Sequence, residues 1–311
     1  MKIAVLGAGS LGCAMGASLS EAGHEVWLIN RNADHVQAMR AQGLRVRTEG
    51  LDRWVPVHAA QHPGEVTGAP VDLLVVLVKS FHTEAAIASA VGLVGPQTAV
   101  LSLQNGLGHE ELLAAAVGAD KVLAGKSYVG GQLLGPGHVL QSTAGRDTLI
   151  GELDGRLSPR VQRIAEAFNG AGLRTHLSEN IAGVIWDKLF VNVATGALSG
   201  ITGLSYGPLY AVPELKACAM AAVREAMDVA RASGVRFATQ SPEEPWEKAG
   251  AGLPPEFKAS MLQSLDKGSV TEIDFVNGAV VRRGAQCGVP TPVNATLVAC
   301  VKGIERGLPA R

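Results

Sequence analysis

The segment that most restricts what this chain can become is its first 31 residues, MKIAVLGAGSLGCAMGASLSEAGHEVWLINR. Residues 3–6 form a short apolar run typical of a buried strand, and it leads straight into Gly7-Ala8-Gly9-Ser10-Leu11-Gly12. A helical stretch continues to about Glu21, Gly23 stops it, and a second strand covers 25–30. Strand, glycine turn, helix and strand in this order make a dinucleotide-binding βαβ unit. Gly7 permits the tight turn, Gly9 lets backbone N–H groups approach a pyrophosphate, and Gly12 lets the helix pack against the sheet. Ser10 and Leu11 open the helix, whose N-terminal N–H groups and partial positive charge attract phosphate.

The end of the second strand selects the dinucleotide. An NAD-preferring site places Asp or Glu there to accept from the ribose 2′-hydroxyl. Here the strand ends in Asn30-Arg31. With no acid present and a guanidinium at hand for a 2′-phosphate, the expected cofactor is NADP(H).

The remaining composition narrows the class. The chain has 311 residues, a formal net charge of −1 and 47% hydrophobic residues. That length supports one or two full cores, and the near-neutral, interspersed charge leaves no footprint for nucleic acid. The longest apolar run, residues 73–78, is too short to span a bilayer. Glycine-rich turn chemistry follows the first strand directly, unlike a secretory leader. Cys13, Cys218, Cys287 and Cys300 are scattered without a CxxC pair. They read as reduced thiols of a cytoplasmic protein. No metal-ligand spacing is visible, so no metal site is expected.

Further along, residues 71–78 (VDLLVVLV) and 99–103 (AVLSL) are continuous apolar runs, as expected for strands buried on both faces. An Ala-rich helical stretch, 82–91, lies between them. Residues 45–57 contain a hairpin turning at Glu49-Gly50, and short strands at 122–128, 138–141 and 148–153 add antiparallel pairing. Residues 158–170 read as a closing helix. Beyond about Ser178 only helical patterns remain, at 179–193, 213–233, 257–265, 271–287 and 293–306. The expected fold class is therefore α/β: a Rossmann-type, mostly parallel sheet over residues 1–173, then an all-helical substrate and catalytic domain over 174–311. The cleft between two such domains is the default substrate site. The Pro-rich stretch 240–255 suits either a flap or a surface loop.

Ligand groups in such a sheet belong at the carboxyl ends of its strands. Lys79 follows the 71–78 strand, and Gln104-Asn105-Gly106 follows the 99–103 strand. Lys79 can face cofactor phosphate or snorkel to water, and Asn105 before glycine can be ligand or simple turn chemistry. In the helical part, Lys188 and Asn192 stand four apart and share an apolar face or its border with Ile181, Val184, Ile185 and Leu189. Polar groups there need a partner or a purpose. Thr271-Glu272-Ile273-Asp274 reads as a helix start, with Thr271 as cap and Asp274 closing a capping box. On spacing alone, Glu272 is explained by the helix dipole.

Taken together, GAGSLG, VKS, QNG, WDKLFVN, SMLQSLDKGSVTEIDFVNG and GVPTPVN stand in an order that resembles the ketopantoate reductase (2-dehydropantoate 2-reductase) family over nearly the whole length. The resemblance implies the two-domain fold and NADPH-dependent reduction of a 2-oxoacid, ketopantoate to pantoate, in pantothenate biosynthesis. Carried over by position, Lys188 is the catalytic lysine and Glu272 the site glutamate. Asn192 lies at the substrate hydroxyl and carboxylate, Ser260 holds the carboxylate, and Asn105 lies between nicotinamide and substrate. Arg31 and Lys79 read NADP. Two positions depart from the family's pocket pattern: Gly196 and Phe257 replace asparagines found in better-known members. A more apolar pocket follows, which favours another 2-oxoacid or ketone as the alternative substrate. A non-catalytic NADPH sensor is the alternative of a different class, and it leaves the joint presence of Lys188, Asn192, Ser260 and Glu272 unexplained. The expected partner is a small 2-oxoacid, with neither nucleic acid nor membrane, and a homodimer through the helical domain is compatible with the pattern.

Overall fold

The computed structural model describes residues 1–309. They divide into two compact units, Met1–Gln104 with His109–Ile181, and Asn105–Gly108 with the chain from Ala182 onward.

The first unit opens with β1 (Lys2–Leu6), α1 (Ser10–Glu21), β2 (Glu25–Ile29), α2 (Ala33–Gln42), β3 (Leu44–Thr48), β4 (Leu51–Val55) and β5 (His58–Ala60). It continues through β6 (Leu73–Val76), α3 (Thr83–Ala90), β7 (Ala99–Ser102), α4 (His109–Val117), β8 (Val122–Ser127) and β9 (Gly130–Gly135). It closes with β10 (His138–Ser142), β11 (Thr148–Glu152), α5 (Pro159–Gly170) and β12 (Thr175–Leu177). An eight-stranded sheet runs β12-β11-β8-β7-β6-β1-β2-β5. Its pairs are parallel except β11 with β8. Every residue of β6 and β7 is buried, which is why both read as unbroken apolar runs.

The antiparallel strands expected after residue 121 do not all join that sheet. The hairpin β3–β4, turning at Glu49-Gly50 as expected, pairs with β10 and β9 in a second sheet of order β4-β3-β10-β9. Helix α1 packs against β2 of one sheet and β9 and β10 of the other. It is therefore buried on all sides from Gly12 to Leu19 and shows no polar face. β9 (GGQLLG) carries no strand signal. It forms because β10 pairs with it and because glycine lets it pass close to α1: a Cβ at Gly131 would lie 2.6 Å from the Ser10 carbonyl oxygen.

The second unit holds α6 (Ile181–Thr202, its first residue counted with the sheet unit), α7 (Tyr206–Tyr210), α8 (Pro213–Ala232), α9 (Glu243–Gly250), α10 (Ser260–Asp266), α11 (Asn277–Cys287) and α12 (Pro292–Arg306). α6 outruns the expected 179–193 because Ala194, Gly196, Ala197 and Gly200 keep it buried past the last large apolar residue of that stretch. By length and composition α6 could cross a membrane, but 61% of its most apolar window is buried within the protein. The 271–287 helix is also corrected. A short 3-10 turn over Ile273–Phe275 precedes a break at Val276, and α11 starts at Asn277. Asp274 closes no capping box; it pairs with Lys302, while the Thr271 amide and hydroxyl both donate to Glu305 at 2.7 Å. Residues 240–255 are not a loose loop throughout, since α9 lies within them and buries Trp246.

Two half-buried carboxylates, Asp187 of the WDKLFVN motif and Glu225 of α8, are structural. The Asp187 carboxylate accepts from the amides of Ala238 and Thr239 and from the Thr239 hydroxyl, at 2.7–3.2 Å. Glu225 of α8 accepts from the amides of Val293 and Asn294, each at 2.9 Å, and so caps α12 where Thr291 does not. All four cysteines are free thiols, and burial pushes that of Cys13 up to about 12.

Candidate active site

The helical unit contains a cavity of about 240 Å³. Its polar lining is Asn105, Lys188, Asn192, Thr195, Ser260, Ser264 and Glu272. Four elements supply these groups. Helix α6 gives Lys188, Asn192, Thr195 and Gly196, which recur at helical spacing and so present one face. Ser260 and Ser264 come from α10, Glu272 from the bend before the 3-10 turn, and Asn105 from the 105–108 loop. The five residues assigned above to catalysis and substrate, Lys188, Glu272, Asn105, Asn192 and Ser260, thus line one cavity.

Local packing explains how the loop reaches it. The Leu107 amide donates to the Phe275 carbonyl at 2.9 Å. Gly106 has φ +96, and a Cβ there would lie 2.4 Å from the same oxygen. Only glycine can hold this approach, and it places Asn105 against the segment that bears Glu272. Gln104 of the same QNG motif serves the other unit, donating to the Val78 carbonyl at 2.9 Å and the Thr83 hydroxyl at 2.7 Å.

Lys188 is half-buried, and desolvation lowers its pKa from the ordinary lysine value. Its ammonium therefore gives up a proton more readily than a surface lysine does. The rest of the lining is largely apolar: Ala249, Leu253, Phe257, Ala259, Met261 and Val276, with the ring of Tyr206. Phe257 packs on Tyr206 with ring centroids 5.2 Å apart. The Tyr206 hydroxyl pairs with that of Thr195 at 3.2 Å, and burial keeps the phenol neutral by raising its pKa. A Cβ at Gly196 would meet the Met261 sulfur and methyl at 3.4 Å, so Met261 fills the room beside this glycine.

In the sheet unit the expected cofactor residues stand at strand carboxyl ends. Gly7 (φ +104) turns the chain after β1 so tightly that a Cβ would lie 2.5 Å from the Val78 nitrogen. Gly12 approaches the Gly7 carbonyl as closely, whereas a Cβ at Gly9 would meet nothing within 4 Å. No side chain caps α1 and no acid sits in its first turn. An open glycine face over an uncapped helix start fits a pyrophosphate. Leu11 is partly buried against the core, and the Ser10 hydroxyl accepts from the Leu133 amide at 3.2 Å, leaving their backbone as the face available to phosphate. Asn30 turns inward, donating to the Ala8 carbonyl at 2.7 Å. Arg31 is exposed, and after burial its charge is the next cause holding His82 below the usual histidine range. Lys79 is exposed three residues beyond β6, before the turn Ser80–His82. Among the described residues no group of three or more His, Cys, Asp or Glu is placed to hold a metal ion.

Sequence reasoning missed Thr195, Tyr206, Leu253, Met261 and Ser264 as lining residues. Thr195 was accessible, being two turns beyond Lys188 on the same face. The others depend on tertiary packing.

Comparison with known proteins covers both units. Residues 3–155 match the family described as ketopantoate reductase PanE/ApbA, and residues 180–305 match its C-terminal counterpart. The chain is 34% identical to a 2-dehydropantoate 2-reductase of Archaeoglobus fulgidus over 99% of both chains. It is also 34% identical to one of Halobacterium salinarum over 98% of this chain and 99% of that one. Among solved structures, a PanE/ApbA family ketopantoate reductase from Ralstonia eutropha superposes with TM-score 0.90 at 36% identity, covering 99% of both chains. D-mandelate dehydrogenase with NADH and anilino(oxo)acetate also superposes with TM-score 0.90, at 28% identity over 100% of both.

Proposed function

The chain belongs to the ketopantoate reductase family, and from that premise we propose that it reduces 2-dehydropantoate to pantoate with NADPH in the cytoplasm. It is an oxidoreductase acting on a CH–OH group, and its reaction serves pantothenate biosynthesis. The observation that carries the residue assignment is the convergence of Lys188, Asn192, Ser260, Glu272 and Asn105 on one cavity.

Gly7, Gly9, Gly12 and the backbone of Ser10 and Leu11 would hold the pyrophosphate, with Arg31 and Lys79 on the 2′-phosphate. When bound, the reduced nicotinamide supplies the hydride. Ser260 and Asn192 hold the substrate carboxylate, which sets the ketone oxygen toward Lys188. Asn105 flanks the reacting carbon. As the carbonyl π pair withdraws to oxygen, the Lys188 ammonium stabilises the alkoxide and then gives it a proton, leaving a hydroxyl. Glu272 orients the lysine, which recovers its proton from water. A positioned donor of this kind contributes about 3 kcal/mol, a hundredfold or more in rate. Arg31 supports NADPH over NADH, although the mandelate dehydrogenase neighbour was solved with NADH.

A second substrate reading has its own observation. Gly196, against which Met261 packs, and Phe257, packed on Tyr206, add apolar surface to the cavity lining. That surface suits a bulky or aromatic 2-oxoacid, and the mandelate dehydrogenase neighbour holds an aryl oxoacid derivative. NADPH oxidation with 2-dehydropantoate, benzoylformate and smaller 2-oxoacids decides the matter. The highest kcat/KM for 2-dehydropantoate supports the main reading. A higher value for benzoylformate moves the substrate to the second, and tight NADPH binding with no turnover on any oxoacid leaves a sensor.

A further inference from the structure

One buried titratable group lies outside the catalytic constellation yet touches the dinucleotide turn. His35, in the first turn of α2, is 4% exposed. Its Nδ1 receives the Gly137 amide at 2.9 Å, from the turn between β9 and β10. A backbone N–H can only donate, so Nδ1 carries the lone pair and the ring proton sits on Nε2. Nε2 lies 3.1 Å from the Ala8 carbonyl and 3.4 Å from the Cys13 sulfur. Ala8 is the second residue of the glycine turn. Its carbonyl also accepts from Asn30 Nδ2 at 2.7 Å and the Cys13 thiol at 3.4 Å, while its amide donates to Ile29 at 2.9 Å. Asn30 in turn receives the Asn32 amide, and Asn32 caps α2 through the His35 amide, each at 2.9 Å. The result is a closed set of hydrogen bonds joining the glycine turn, the end of β2, the start of α2 and the β9–β10 turn.

We propose that His35, as its neutral Nε2–H tautomer, is the positioning residue that holds the Ala8–Gly9 peptide, and with it the start of α1, in the form that binds the dinucleotide phosphates. This rests on the reading of NADP(H) as cofactor. A second ring proton would set Nδ1–H against the Gly137 N–H, two donors face to face, and the bridge would open. Burial lowers the pKa of His35, with the Ala8 hydrogen bond opposing it, so the neutral form prevails at neutral pH and is lost only below the ordinary histidine range. The ionisable groups around it do not set this behaviour. The Cys13 thiol is pushed up to about 12, His138 beside Gly137 pairs with Asp52, and Asp34 and Arg31 are exposed.

The test compares the wild type with His35→Leu and His35→Gln. NADP+ affinity is titrated by fluorescence from pH 8 to pH 5, alongside thermal melts and kcat at saturating NADPH. His35→Leu is expected to weaken NADP+ at least tenfold at neutral pH and to raise the KM for NADPH with kcat little changed. His35→Gln, which keeps a donor and an acceptor, should recover part of the affinity. The ratio of wild-type to His35→Leu affinity should shrink as the pH falls, because acid opens the wild-type bridge and the variant has none; the titration of the 2′-phosphate cancels in that ratio. Long-range proton–nitrogen NMR on the wild type should find His35 neutral and protonated at Nε2 at pH 7. A His35 that is charged or protonated at Nδ1 at pH 7 overturns the inference even if both variants misfold. Folded variants with unchanged affinity overturn it alone, while a wild type that binds neither NADPH nor NADH overturns the cofactor reading and this inference with it.

Discussion

Replacing Lys188 with Met separates chemistry from architecture in this site. Methionine keeps an unbranched stem of similar volume against the α6 face but removes the ammonium that lines the cavity with Asn192 and Glu272. If that ammonium is the group facing the developing alkoxide, its loss costs about 3–4 kcal/mol of transition-state stabilisation, a fall in kcat of a hundredfold to a thousandfold. NADPH affinity should hardly change, because the residues named above for the pyrophosphate and the 2′-phosphate belong to the glycine turn and the strand ends of the other unit. Stability moves the other way. The folded-state pKa of Lys188 lies below its unfolded value, so the charged form is disfavoured by folding. The resulting penalty is full below the folded pKa and fades as the pH rises from there toward the ordinary lysine value. At pH 7 the wild type carries it and the methionine variant does not. Tm should therefore hold or rise while turnover collapses. The assay is NADPH oxidation with 2-dehydropantoate, with calorimetry on the same samples. The wild-type rate should also decline on the alkaline side at a pH below that of an ordinary lysine. Near-normal kcat in Lys188→Met refutes the assignment, since another group would then be supplying the proton.

Other expectations follow from single contacts. The wild type should bind NADPH at least tenfold tighter than NADH, about 1.4 kcal/mol, and Arg31→Ala should erase most of that margin; equal affinities in the wild type contradict the reading of Asn30-Arg31. Gly106→Ala forces a Cβ to within 2.4 Å of the Phe275 carbonyl at φ +96, so the loop must shift. We expect a loss of roughly 1–3 kcal/mol in urea unfolding and a marked rise in substrate KM, and an unchanged KM would detach Asn105 from the site. Gly196→Asn with Phe257→Asn should raise kcat/KM for 2-dehydropantoate relative to benzoylformate, provided Met261 swings aside, because a polar site discriminates against ligands that leave it unpaired; no change in that ratio removes the pocket argument.

The parts of this molecule that were legible from sequence are those governed by local rules. GAGSLG needs nothing beyond a strand and a helix to be read, and the Glu49-Gly50 hairpin announces itself through its turn. The buried strands β6 and β7 show as apolar runs because both their faces are covered. What escaped was decided by partners distant in the chain. β9 has a strand-poor sequence and exists because β10 and α1 are beside it. α2 buries only His35, Val36 and Met39, too narrow a stripe to register as a helical period. Asp274 looked like a cap because spacing cannot reveal that Lys302 reaches it from α12. In the site, Lys188 and Asn192 declared themselves by sharing a helix face. Asn105 was marked by its place at a strand end, whereas Glu272 has an adequate local explanation in the helix dipole, and only the resemblance singled out Glu272 and Ser260. The apolar lining of Tyr206, Leu253 and Met261 is a product of folding with no local signature.

On this reading of the site the helical unit's cavity takes a 2-oxoacid that is reduced by hydride from a nicotinamide. The most direct test is to incubate the protein with 2-dehydropantoate and NADPH deuterated at the transferable position of the nicotinamide, and to examine the product by NMR and mass spectrometry. The expected product is pantoate carrying a single deuterium on C2, formed in proportion to NADPH consumed and nearly absent with Lys188→Met. NADPH consumption without labelled pantoate, or labelled pantoate at an undiminished rate from Lys188→Met, would contradict this reading.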